Sequence, residues 1–124
     1  MRLAIMGAGA VGRSVADLAS EYDHTVAAIA DSSSAAIDPE GLDVESVFTR
    51  KSEAGSVGSS DRDDALEADY DILVEATPTT LGEAEPGYSH VVAALERDKD
   101  VVLANKGPVA ERYDDVMAAV AASE

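Results

Sequence analysis

The chain contains no cysteine and no tryptophan among its 124 residues, and only three lysines. The absence of cysteine excludes disulfide bonds, thiolate zinc sites and cysteine nucleophiles. No apolar run approaches the ~18 residues that a membrane-spanning helix requires. The N-terminus runs directly into a strand-like segment rather than a signal peptide. These absences predict a soluble, cytoplasmic protein.

Basic residues are scarce: nine Lys and Arg stand against 25 Asp and Glu, giving a formal net charge of -16. Nucleic acid and anionic membranes are therefore disfavoured as partners, because both require clustered Lys and Arg. We interpret the acidity as adaptation to molar salt, in which dense carboxylates hold water and ions and their repulsion is screened over ~3 Å. An ordinary acidic protein is the alternative.

Hydrophobic residues make up 46% of the chain, enough for the core of one domain over residues 1–124. Short apolar runs alternate with amphipathic stretches. The runs predict strands at residues 3–6, 26–30, 70–76 and 101–103. In the first helix, the apolar stripe comprises Val11, Val15, Leu18 and Tyr22. This alternation predicts an α/β fold with a doubly wound parallel sheet of the Rossmann type.

The middle of the chain is less regular. Ser32 to Ser34 opens a predicted loop, and Asp43 is a candidate cap for a short helix whose inner face carries Val44, Val47 and Phe48. Residues 52–60 are rich in Gly and Ser, which predicts a surface loop or mobile connector. Residues 61–69 are acidic and only weakly helical.

A glycine-rich segment, Gly7-Ala8-Gly9-Ala10-Val11-Gly12, directly follows the first strand and opens the first helix. In this context a G-x-G-x-x-G pattern predicts a dinucleotide-binding turn. Gly7 permits the tight turn, Gly9 lets backbone amides approach a pyrophosphate, and Gly12 allows the helix to pack closely on the sheet. The helix N-terminus supplies free N–H donors for the phosphates.

Asp31 ends the second strand, near the ~20-residue spacing at which an acid binds the adenosine ribose. A carboxylate there accepts hydrogen bonds from the ribose diol and repels a 2′-phosphate, which favours NAD over NADP. Arg50 and Lys51 give the opposing interpretation, since either side chain could fold back towards a 2′-phosphate. Otherwise both are solvated surface charges.

Polar residues also follow the third and fourth strands, in Thr77-Pro78-Thr79 and Asn105-Lys106-Gly107. Loops after the carboxyl ends of parallel strands lie on the ligand side of the sheet. Lys106 is the candidate catalytic residue, because an ammonium there could hold a substrate carboxylate or polarise a carbonyl. His24 and His90 have no metal-ligand partners at useful spacing, so no metal site is predicted, and His90 is expected on a helix surface.

Several segments together resemble homoserine dehydrogenase: residues 6–12, Ala30-Asp31-Ser32-Ser33, Glu75-Ala76-Thr77-Pro78-Thr79 and residues 101–110. The resemblance covers essentially the whole chain. It implies reduction of aspartate 4-semialdehyde to homoserine with NADH or NADPH, in threonine and methionine biosynthesis. The cofactor contacts that the motifs and the resemblance assign are Gly7, Ala8, Gly9, Ala10, Val11, Gly12, Asp31, Ala76, Thr77, Pro78, Asn105 and Lys106.

The resemblance also implies a second domain, which carries a catalytic Lys and acidic substrate ligands and forms the dimer interface. Nothing in this chain corresponds to that domain. We therefore expect the chain to bind cofactor without turning over substrate, and the full-length protein to be a homo-oligomer. Two alternatives stay open: a related enzyme such as aspartate dehydrogenase or dihydrodipicolinate reductase, and a dinucleotide-sensing module without chemistry.

Overall fold

The computed structural model describes residues 2–77, 87–103 and 120. Its strands are β1 (Arg2–Met6), β2 (Thr25–Ala30), β3 (Ala35–Ile37), β4 (Ile72–Glu75) and β5 (Asp100–Leu103). Its helices are α1 (Ala10–Glu21), α2 (Val44–Ala54), α3 (Arg62–Leu66) and α4 (Gly87–Glu96). No helix within these ranges is long and apolar enough to cross a membrane.

The five strands form one sheet in the order β3-β2-β1-β4-β5. β1 lies at its centre and pairs in parallel with both β2 and β4, while β5 pairs in parallel with β4. Two buried clusters cover the two faces of the sheet, one around Ile5, Ile29 and Phe48 and the other around Met6, Leu73 and Tyr70. The predicted α/β fold is confirmed, and coverage on both faces explains the continuous apolar runs.

The edge strand β3 differs from the prediction. Residues 35–37 were expected in a loop, but they pair antiparallel with β2, with Ala35 opposite Ala30. The predicted doubly wound parallel sheet is therefore confirmed for β1, β2, β4 and β5, and β3 adds an antiparallel edge strand that the sequence did not predict. The connection explains the difference: a tight turn closed by Asp31 N–H on the Ser34 carbonyl joins β2 to β3. Such a turn can reverse a chain, whereas a parallel partner requires a crossover of a dozen or more residues.

Helix α1 packs with a face other than the predicted apolar stripe. Its buried residues are small: Gly12, Ala16 and Ala19. Three of the four predicted stripe residues are 52–67% exposed: Val11, Leu18 and Tyr22. A Cβ placed on Gly12 would lie 1.8 Å from the Gly7 carbonyl oxygen. The helix axis therefore lies too close to the sheet for large side chains between them, and the small-residue face turns inwards.

The middle of the chain is more regular than its composition suggested. Asp43 caps α2 as predicted, since its Oδ1 accepts a hydrogen bond from Ser46 N–H at 3.3 Å. The inner face of α2 buries Val44, Val47 and Phe48, also as predicted. The helix extends to Ala54, into the predicted loop, and ends at Gly55 in the left-handed conformation (φ 77°). The acidic segment forms the single turn of α3, in which Asp61 N–H donates to the Asp64 carboxylate.

Candidate functional site

A cavity of about 610 Å³ opens where β1, β2 and β4 end. Its lining comprises Met6, Gly7, Ala8, Gly9, Ala10, Val11, Ala30, Asp31, Ser32, Lys51, Arg62, Ala76, Thr77 and His90. Open parallel sheets bind ligands in such a crevice, outside the carboxyl ends of neighbouring strands. The cavity thus brings together most of the predicted cofactor contacts. Pro78, Asn105 and Lys106 lie outside the described residues.

Gly7 and Gly12 are required by the fold itself. Gly7 has a φ of +120°, and a Cβ there would lie 2.4 Å from the Ala76 carbonyl oxygen. Gly12 is not among the residues that line the cavity. A Cβ added to Gly12 would lie 1.8 Å from the Gly7 carbonyl oxygen. The structural roles predicted for both glycines, a tight turn and close helix packing, are confirmed.

Gly9 is different, because nothing in the described part of the chain requires a glycine there. Its φ of -83° suits any residue, and no atom of the described residues lies within 4 Å of an added Cβ. Gly9 is also the N-cap of α1, and among residues 2–77 and 87–103 no capping side chain accepts a hydrogen bond from the first turn. The first amides of α1 therefore face the cavity without a side-chain cap, in the arrangement that binds phosphate oxygens.

Asp31 is buried at the end of β2, and its two carboxylate oxygens have different partners. Oδ1 accepts hydrogen bonds from Ser33 N–H at 2.9 Å, Ser34 N–H at 2.6 Å and Ser34 Oγ at 2.9 Å. Oδ2 accepts from Lys51 Nζ at 2.6 Å. Burial raises the pKa of Asp31, but the hydrogen bonds from Lys51, Ser33 and Ser34 outweigh it and lower the pKa to about 2. Only Oδ2 keeps room for another donor.

Two cationic side chains line the cavity. Lys51 comes from α2 and Arg62 from α3. Arg50 lies instead in a separate depression on the outer side of α2, with Glu53 and Ser46. The sequence had offered Arg50 and Lys51 as equals and had missed Arg62. Successive residues on a helix point about 100° apart, so only one of the adjacent pair can face the cavity.

Glu75 and His90 form a buried pair on the β4 side of the cavity. Nδ1 of His90 lies 3.1 Å from Oε2 of Glu75, and the side chains are 2% and 0% exposed. Oε1 of Glu75 accepts hydrogen bonds from Thr77 N–H at 3.1 Å and Thr77 Oγ1 at 2.7 Å. The expectation of a surface His90 is wrong, because α4 packs this residue against the end of β4. A charged residue continuing the apolar run of residues 72–74 was the available signal, since a fully buried Glu is almost always paired.

Comparison with known proteins identifies relatives of this chain. The sequence model of the family described as Glutamate/Leucine/Phenylalanine/Valine dehydrogenase matches residues 1–85. A homoserine dehydrogenase of Methanocaldococcus jannaschii is 34% identical over 94% of this chain. An NADP-specific glutamate dehydrogenase of Halobacterium salinarum is 34% identical over 93% of it.

A solved structure extends these similarities to the fold. The homoserine dehydrogenase of Thermoplasma acidophilum superposes on 98% of this chain with a TM-score of 0.83 and 27% identity. The chain spans 40% of the length of each of the two homoserine dehydrogenases and 28% of the glutamate dehydrogenase. The sequence resemblance to homoserine dehydrogenase is thereby confirmed for the nucleotide-binding part of these enzymes.

Proposed function

The chain belongs to the glutamate/leucine/phenylalanine/valine dehydrogenase family, and we propose that it is the NAD(P)-binding domain of a homoserine dehydrogenase. The whole enzyme interconverts aspartate 4-semialdehyde and homoserine with NAD(P)H. The observation that carries the proposal is Gly9, a glycine that lines the cavity and that packing among the described residues does not require. A pyrophosphate lying against the first turn of α1 explains why a side chain is absent there.

The position of the glycine turn sets the direction in which the cofactor lies. The pyrophosphate binds at Gly7 to Val11, between the ends of β2 and β4. The adenosine half then extends towards Asp31 at the end of β2. The nicotinamide half crosses to the other side of β1, beside Ala76 and Thr77 at the end of β4.

Lys51 and Asp31 together allow both forms of the cofactor. With NADPH, the 2′-phosphate draws Lys51 away from Asp31, and Arg62, which lines the same cavity, adds a second positive charge. With NADH, a ribose hydroxyl donates to Oδ2 of Asp31, the oxygen that has room for one more donor. The slight preference for NAD predicted from Asp31 alone is therefore offset by its ion pair with Lys51.

The reaction divides between cofactor and protein. The cofactor supplies the hydride that reduces the semialdehyde carbonyl, and the protein binds, orients and excludes water. In this chain the glycine turn and Asp31 fix the cofactor, and Lys106 helps to position the nicotinamide or the substrate. The principal acid comes from the second domain of the full-length enzyme, and that domain also forms the homo-oligomer. We place the reaction in the cytoplasm, where the dinucleotide pool turns over.

A second candidate is reductive amination of a 2-oxo acid, which the family description and the glutamate dehydrogenase similarity favour. One assay separates the two activities. The full-length protein is supplied with NADPH and either aspartate 4-semialdehyde or 2-oxoglutarate with ammonium. Oxidation of NADPH with the semialdehyde alone supports the homoserine assignment. Oxidation only with the oxo acid and ammonium replaces it with the amino-acid dehydrogenase.

A further inference from the structure

One of the two imidazole nitrogens of His90 lacks a hydrogen-bond partner among the described residues. This nitrogen, Nε2, is buried. Most buried polar atoms in proteins are satisfied by protein or water, so an unpaired one requires an explanation. His90 also lines the cavity that holds the glycine turn. A ligand group in that cavity would provide the missing partner after a small shift of the atoms that cover Nε2.

The orientation of the ring is fixed from behind. Nδ1 lies 3.1 Å from Oε2 of Glu75. Whether the hydrogen in this contact belongs to Nδ1 or to the carboxyl group, Nδ1 is occupied by Glu75. The other oxygen of Glu75 is held by Thr77 through both its amide and its hydroxyl. The pair therefore locks the imidazole against the end of β4, with Nε2 on the opposite edge of the ring from the Glu75 contact.

We infer that Nε2 of His90 is a hydrogen-bond partner for the nicotinamide ribose of the bound cofactor. This inference rests on the proposed function, which puts the nicotinamide half beside Thr77. A ribose hydroxyl both donates and accepts, so it satisfies Nε2 whether or not that nitrogen is protonated. His90 is then a binding residue, and Glu75 is the positioning residue that orients it.

The adenosine half is an unsuitable partner for geometric reasons. Asp31, Ser32 and Lys51 lie at the end of β2, whereas His90 packs on β4, with β1 between these two strands. We therefore expect His90 to contact the half of the cofactor that carries nicotinamide and not the half that carries adenine.

Imidazole NMR on the unmodified chain tests the claim without any risk of misfolding. The sequence contains two histidines, His24 and His90. His24 is exposed. The His24→Gln variant assigns the ¹⁵N imidazole signals. NADPH is compared with 2′,5′-ADP, which carries the adenosine and phosphate groups but no nicotinamide ribose. Backbone amide shifts at Gly9 report binding of either ligand.

The inference predicts that NADPH shifts the Nε2 resonance of His90 and leaves His24 unchanged, while 2′,5′-ADP shifts Gly9 alone. Binding of NADPH without a change at His90 Nε2 would overturn the inference and leave the proposed function intact. An equal response to both ligands would also overturn it. If neither ligand shifts Gly9, the proposed function fails, and the inference fails with it.

Substitution supplies a second, quantitative measurement. His90→Gln removes the imidazole, and His24→Gln is the matched control at an exposed site. We expect His90→Gln to weaken NADPH binding about 5- to 10-fold, as for the loss of one hydrogen bond, with 2′,5′-ADP binding unchanged. Equal weakening of both ligands would assign His90 a purely structural role and overturn the inference. Unchanged NADPH affinity would overturn it as well.

Discussion

Nζ of Lys51 lies 2.6 Å from Oδ2 of Asp31, so an acid expected to bind ribose and a base expected to bind phosphate form one ion pair. Asp31 directly follows β2 and Lys51 lies in α2, and both residues line the cavity. Ser33 and Ser34 hold the other oxygen of Asp31, whose side chain is 6% exposed, whereas the Lys51 side chain is 36% exposed. We therefore expect Lys51, the more exposed partner, to be the one that adapts to the cofactor.

Replacing Lys51 with Gln tests this division of roles. The variant should bind NADPH about 10-fold more weakly, because a charge-assisted contact to the 2′-phosphate is lost. NADH binding should change little, since Oδ2 of Asp31 remains available. Parallel fluorescence titrations measure both affinities. The matched control is Arg50→Gln, which removes the same charge one residue away, outside the cavity. An equal effect of the two substitutions would show that Lys51 acts only through net charge.

Gly9 and Gly12 should respond in opposite ways to alanine. Gly9→Ala adds a methyl group that meets no atom of the described residues, so the free energy of unfolding should fall by at most about 1 kcal/mol, the cost of an alanine at the N-cap of α1. Affinity for NADPH should nevertheless fall by at least about 10-fold, because the methyl group stands where the pyrophosphate approaches. Gly12→Ala forces the methyl group against Gly7 and should cost about 3 kcal/mol. Thermal unfolding and cofactor titration on each variant measure the two quantities.

Unaltered NADPH affinity in a folded Gly9→Ala variant would remove the argument that places phosphate at this turn. Retention of full stability in Gly12→Ala would instead contradict the close contact between α1 and β1.

Asp31 should contribute to acid stability in a defined pH window. Its pKa is lowered from 3.8 to about 2 in the folded chain. Because the folded pKa lies below the unfolded one, the contribution is complete above about pH 4 and is lost as pH falls through about 2. The size is roughly 2 kcal/mol. Asp31→Asn keeps an oxygen for Ser33 and Ser34 but cannot ionise.

The free energy of unfolding of this variant should therefore fall less than that of the wild type between about pH 6 and pH 2, by roughly 2 kcal/mol. Urea titrations at both pH values measure the difference, and the other carboxylates contribute equally to both proteins. Parallel pH profiles would show that Asp31 is not stabilised by its partners in the folded state.

Salt should stabilise the fold strongly. A net charge of -16 on 124 residues produces self-repulsion that molar KCl screens to a ~3 Å range. We expect the folded circular dichroism signal to disappear on dilution to low salt and to return when KCl is restored. A neutral osmolyte at matched osmolality is the control. Full stability at low salt would mean that the acidity is not an adaptation to salt.

The sequence predicted those parts of the site that depend on backbone geometry. The roles of Gly7 and Gly12 follow from local conformation and close approach, which a single motif encodes. The Asp43 cap and the buried face of α2 are also local and were predicted correctly. The position of Asp31 follows from the spacing of a βαβ unit.

Features that depend on helix phase and packing could not be predicted. Lys51 and Arg50 are neighbours in sequence, and only the rotation of α2 decides which one enters the cavity. The inward face of α1 was misassigned because the contact of Gly12 with Gly7 excludes large side chains that the hydrophobic pattern favoured. Burial of His90 depends on the fit of α4 against Glu75, a long-range contact that periodicity does not report.

The most direct test of the account is a titration of this chain with NADPH in molar KCl, followed by the fluorescence of the reduced nicotinamide. The chain contains no tryptophan, so the cofactor signal is free of tryptophan overlap. The account predicts saturable binding that 2′,5′-ADP displaces and that Gly9→Ala weakens. A chain folded by circular dichroism that gives no saturable signal with NADPH or NADH would contradict the assignment of this cavity as a dinucleotide site.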